Sequence, residues 1–320
     1  MAHATTGVRV ALAAILRAQT AAVAAAWPRA ARGDAGAIHR VRTASRRLRE
    51  TLPLVSAVVP RGGAERARRE TRRLTRALGV VRELDVALEV LAEGIGGRSW
   101  TGPDAARVRR ALLAERARAR RVLRTRLRAL DRDEWVARLD DVVARIDAAD
   151  LTESPEAVLA RRVRRRAAVL RDVVRTAGTL YAPEALHHVR IAAKKLRYSL
   201  ELARDVTGAP VGSLLASLVA VQDRLGRFHD LHVLFDRVRS MDWPGGSRRG
   251  GNSRAALEAV LDRECREQHA AYLAGRDRLM AAAQAAATAL SAPVRDRRPP
   301  MRMRLMAHPD RALKPAAGGS

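Results

Sequence analysis

Apolar residues recur every three or four positions along most of the chain, and strand-like alternation is absent. Near the start, Val8, Leu12, Ile15, Leu16 and Val23 fall on one helical face, with Arg17 and Gln19 interrupting the run. The pattern predicts an amphipathic first helix rather than a secretion signal. No uninterrupted apolar run approaches the roughly 18 residues of a membrane span, so none is expected. Breakers cluster at 28–36, 60–63, 94–103, 151–155, 178–183, 208–212 and 242–253. The stretches between them predict helices. Asp34 is placed to cap the helix that carries His39. Ser154-Pro155-Glu156 reads as a helix start, with a capping hydroxyl, a proline in the first turn and an acid behind it. From Pro293 onward the chain is basic and proline-rich, and residues 291–320 are expected to be a disordered tail.

Two segments of the pattern occur twice. His39-Arg40-Val41-Arg42-Thr43-Ala44-Ser45-Arg46-Arg47-Leu48-Arg49 returns as His187-His188-Val189-Arg190-Ile191-Ala192-Ala193-Lys194-Lys195-Leu196-Arg197, 148 residues later. Leu78-Gly79-Val80-Val81-Arg82-Glu83-Leu84-Asp85-Val86 returns as Leu225-Gly226-Arg227-Phe228-His229-Asp230-Leu231-His232-Val233, 147 residues later. Two motifs that keep their order and spacing mark an internal repeat. The expected fold is all-α: a first half at 1–150 and a second at 151–290, each a bundle of about four helices, related by a pseudo-twofold axis.

The first motif has a clear geometry on a helix. His39, Arg42, Arg46 and Arg49 share an arc of about 80°, while Val41, Leu48 and Leu52 lie opposite. His187, Arg190, Lys194 and Arg197 repeat the arc, with Val189, Leu196 and Leu200 facing away. Arg47 and Lys195 flank the two ladders. Steps of three and four residues advance about 5 Å, which suits a chain of regularly spaced anions. An arginine-rich face is commonly just solvated, but two copies with the same histidine at the same register argue for a shared ligand. The histidine, if protonated, adds a donor and a charge beside an anion; the other reading is a packing or orienting role.

The second motif is read as mainly structural. Gly79 and Gly226 suggest close helix packing. Glu83, Asp85 and Asp230 are placed to pair with basic side chains. His229 and His232 could hold a metal together with Asp230 or His188. The equivalent first-half position is Arg82, which is no ligand, so no metal is expected.

Charge narrows the partner. Of 320 residues, 61 are Lys or Arg and 34 are Asp or Glu, a formal net charge of +27. Such an imbalance repels itself and points to a polyanion. All but Lys194, Lys195 and Lys314 of the basic residues are Arg, whose fixed fork of donors suits phosphate oxygens. Aromatic residues make up 3%, too few for a protein that grips unpaired bases by stacking. Cys265 is the only cysteine, which rules out an internal disulfide and is consistent with a reducing compartment.

The doubled H-x-x-R-x-x-x-[RK]-[RK]-L-R segments, each followed by L-G-x-x-[RH]-[ED]-L, resemble the conserved histidine α-helical domain family, CHAD. The resemblance covers roughly residues 5–285. It implies two helical bundles around a central basic groove or pore, binding of inorganic polyphosphate, and for some members association with polyphosphate granules in the cytoplasm. Carried onto this chain, the polyphosphate-binding set is His39, Arg42, Arg46, Arg47 and Arg49 with His187, Arg190, Lys194, Lys195 and Arg197. Glu83 stands where an Asp is more usual, and His232 replaces an acid. Some relatives carry a triphosphate tunnel domain with an E-x-E-x-K signature; that signature is absent here, so hydrolysis is not implied. No cofactor and no catalytic residue is expected. The alternative partner is nucleic acid, kept open by the arginines at 107–128 and 161–166. An enzyme acting on phosphate chains is disfavoured, because no phosphate loop or nucleophile motif is visible.

Overall fold

The computed structural model describes residues 2–59, 63–97, 100, 103–148, 150–243 and 251–290. The expected tail at 291–320 lies outside them. The described residues contain no strand and form ten helices: α1 (Ala2–Ala31), α2 (Ala35–Val58), α3 (Ala64–Ala77), α4 (Gly79–Gly96), α5 (Pro103–Arg128), α6 (Arg132–Ala148), α7 (Pro155–Ala177), α8 (Pro183–Thr207), α9 (Gly212–Ser240) and α10 (Gly251–Thr288). The all-α expectation is met. The second half holds four described helices and the first half six, because that half is broken at two further points. One is Leu78, between α3 and α4. The other is Asp131, whose carboxylate accepts from the Asp133 and Glu134 amides and starts α6.

Both predicted caps are present. Asp34 accepts from the Ala37 amide at 2.7 Å. Ser154 accepts from the Ala157 amide at 3.3 Å, with Pro155 opening α7. The stretch Gly7–Ala31 of α1 is long and apolar enough, by composition, to cross a membrane. Here its Leu12, Leu16 and Val23 are fully buried against neighbouring helices, so the stripe serves the core.

Packing order is the same in the two halves: α1 lies on α2 and α6, and α7 lies on α8 and α10. The helices enclose two apolar cores. One gathers α1, α2, α3 and α6 and also takes Leu202, Ala203 and Val206 from the end of α8. The other gathers α7, α8, α9 and α10 and also takes Leu84, Val90 and Leu91 of α4 and Val108 and Leu112 of α5. Neither core is confined to one half of the sequence. Close approach is required at Gly94, where a Cβ would fall 2.1 Å from the buried Trp100 ring. It is not found at Gly226, which faces open space; Gly79 only lets the Arg42 guanidinium pass at ordinary contact distance.

Candidate anion-binding seam

Helices α2 and α8 touch, and each turns its apolar stripe inward. Val41, Leu48 and Leu52 of α2, and Val189, Leu196 and Leu200 of α8, are buried as the helical spacing predicts. The opposite faces carry the basic ladders, and the seam between the helices brings much of both together. Tyr198 of α8 marks the meeting point. Its ring lies 5.3 Å from the Arg46 guanidinium of α2 and 5.1 Å from that of Arg197.

Electrostatics show how crowded this place is. Burial and repulsion from Arg190, Arg46, Arg197 and Arg42 push the Lys194 ammonium down to about 6. Arg42 is lowered by burial, then by Arg46, Arg82 and Arg49. Arg190 is lowered by burial and by Arg46, partly offset by Asp230. The cations of the two halves therefore share one field. Asp230 of α9 is the acid that faces it; burial holds its carboxyl above the usual range although Arg190, Lys194, Arg82 and Arg227 pull it down. Arg42 also donates to the Thr75 carbonyl at 3.3 Å, tying α2 to the last turn of α3.

A histidine pair closes one end. His187 Nδ1 lies 3.3 Å from Nδ1 of His229 on α9. Burial and the neighbouring Arg190 lower both rings, His229 to about 3, so one ring donates and the other accepts as neutral imidazoles. In the first half the position equivalent to His229 is Arg82, which pairs with Glu89 at 2.9 Å and adds to the field on Arg42.

Of the sequence-predicted residues, Arg42, Arg46, Arg190, Lys194 and Arg197 converge and are half-buried. His187 lies beside them. Arg49 is exposed and extends the α2 ladder toward α3, where Arg72 and Arg76 repel it. His39, Arg47 and Lys195 are exposed at the edges. Arg197 also lies 3.6 Å from Glu201. The acids of the second motif do pair with bases: Glu83 with Arg237 at 2.7 Å and Asp85 with Arg116 at 2.5 Å. Among the described residues, no three His, Cys, Asp or Glu side chains converge as metal ligands.

Helical spacing did not point to Tyr198, Arg82 or the role of Arg166. Arg166 of α7 reaches Glu50 of α2 at 2.7 Å and donates to the Lys195 carbonyl and the Ser199 hydroxyl of α8, each at 2.7 Å. Arg162 donates to the Glu50 carbonyl at 2.8 Å. This clasp ties α7 to both ladder helices.

A sequence model of the CHAD domain matches residues 14–239. Two solved structures share the fold. PptA from Streptomyces chartreusis aligns with a TM-score of 0.57 at 22% identity, covering 86% of this chain and 99% of that one. The CHAD domain from the plant Ricinus communis aligns with a TM-score of 0.58 at 20% identity, covering 87% and 92%. No curated protein sequence matches the chain significantly.

Proposed function

The chain belongs to the CHAD domain family, and from that premise we propose that the α2–α8 seam binds inorganic polyphosphate without cleaving it. The observation that carries the proposal is the convergence of Arg42, Arg46, Arg190, Lys194 and Arg197 around Tyr198 with little carboxylate to balance them. Such a cluster is costly while empty, and a polyanion relieves it. The guanidinium groups of Arg46 and Arg197 both lie over the Tyr198 ring, where they compete with a stacked base, and this favours a chain made of phosphate alone. A protein with this seam would gather on polyphosphate granules in the cytoplasm.

The second reading is nucleic acid, supported by the exposed arginines of α5. Part of the α7 run weakens it, because Arg161 pairs with Glu153 while Arg162 and Arg166 are held on Glu50; Arg164 and Arg165 of the same run are exposed. Competition separates the two. Labelled long-chain polyphosphate bound at moderate salt should resist a mass excess of duplex DNA and should release no orthophosphate with divalent metal present. Easy displacement by the duplex would overturn the assignment, and metal-dependent release of orthophosphate would overturn its non-catalytic part.

A further inference from the structure

Each half contributes one basic ladder to the seam, but the surfaces beside it differ. Helix α3 carries six arginines. Arg66 pairs with Glu70 at 3.4 Å and Arg68 with Glu65 at 3.2 Å. Among the described residues no carboxylate pairs with Arg69, Arg72, Arg73 or Arg76. These four share an arc of about 100° on the helix, and all four are exposed. The opposite side, with Ala67, Thr71 and Leu74, is buried.

The last turn of α3 begins at the seam, where Arg42 donates to the Thr75 carbonyl at 3.3 Å. Arg49, the outermost rung of the α2 ladder, feels Arg72 and Arg76 as near neighbours. Cations thus continue from Arg46 through Arg49 onto α3 without a break, and from Arg76 to Arg69 they run on for about 10 Å. The equivalent surface of the second half, the first part of α9, presents Ala216, Val219, Ala220 and Asp223 at these four positions. None of them is basic and the one nearest the seam is acidic. Among the described residues, the repeated face thus carries four unpaired cations in one copy and none in the other.

We propose that a polyphosphate longer than the seam leaves it in one direction, across the exposed face of α3, where Arg49, Arg69, Arg72, Arg73 and Arg76 carry it. This rests on the reading of the seam as the polyphosphate site. It makes binding directional: the α2–α8 ladders hold a short stretch, α3 holds the phosphates beyond it, and the α9 side takes none. Affinity should therefore rise with chain length until the α3 face is filled.

The test compares tripolyphosphate, which spans only part of the seam, with long-chain polyphosphate. Arg72→Gln/Arg76→Gln should weaken the long chain by about ten-fold and lower its salt slope by about two, while leaving tripolyphosphate unchanged. Arg124→Gln/Arg128→Gln removes two exposed charges from α5 instead and should change neither by more than about two-fold. An α3 variant that binds the long chain as tightly as the parent overturns the proposal. So does an α5 variant with the same loss, which would reduce the effect to net charge, and so does equal weakening of both ligands by the α3 variant. Arg46→Ala/Arg190→Ala keeps the two ideas apart: if it leaves tripolyphosphate binding intact, the seam assignment fails, whatever α3 does.

Discussion

Lys194 stands where the cations of both halves are most crowded, with Arg190, Arg46, Arg197 and Arg42 around it and an ammonium lowered to about 6. In the free protein it is therefore largely neutral at neutral pH. A bound polyanion restores the charge and draws the group back toward its ordinary range near about 10. Binding then takes up a proton between about pH 6 and that raised value. Affinity should fall as pH climbs through this window, and the contribution of Lys194 should be complete below it. Titrations from pH 6 to 9 should show this slope in the parent and a flatter one in Lys194→Arg, whose charge persists throughout. Equal slopes would contradict the role given to Lys194. His187 and His229 are lowered too, and their uptake adds on the acid side. At this scale the ladders were legible because helical spacing fixes which side chains share a face. Tyr198 was not, because a single aromatic has no period to betray it. The His187–His229 contact joins residues on different helices, and spacing along one helix cannot reveal it.

Helices and their joints show the same division. The caps at Asp34 and Ser154 were legible because an N-cap is a local hydrogen bond written in a few residues. The break at Leu78 was not, since Gly79, which opens α4, reads equally as close packing inside one continuous helix. Nor could the sequence show that α4 and part of α5 join the second core. The Arg166 clasp belongs to this scale. It joins α7, α2 and α8 through Glu50, Lys195 and Ser199, and side chains of Arg166 and Glu50 are only 23% and 18% exposed. Arg166→Met should leave Glu50 poorly paired, lower stability by about 1–3 kcal/mol, and loosen the seam. Thermal unfolding should show a fall of a few degrees, with polyphosphate restoring part of it. An unchanged midpoint and unchanged affinity would show that the clasp does not set the spacing of the ladders.

At the scale of the molecule, α8 holds the arrangement together. Its end packs in the first core, the rest of its apolar stripe packs in the second, and its basic face meets that of α2. The two ladders thus face one seam, and on the proposed function a ligand there would touch both halves at once. Net charge and the doubled motif carried the expectation of a polyanion partner. That the two copies meet depended on long-range packing, which periodicity does not encode. The most direct test is calorimetric titration of a defined-length polyphosphate into the parent, into Arg42→Ala/Arg46→Ala, into Arg190→Ala/Lys194→Ala, and into the variant with all four changes, each checked for helical content. Four lost charge-assisted contacts should weaken binding by at least about a hundred-fold, and either pair alone should weaken the whole event rather than remove one of two equal sites. Unchanged affinity in the fourfold variant, or a paired variant that keeps full affinity at half the stoichiometry, would contradict a single seam built from both halves.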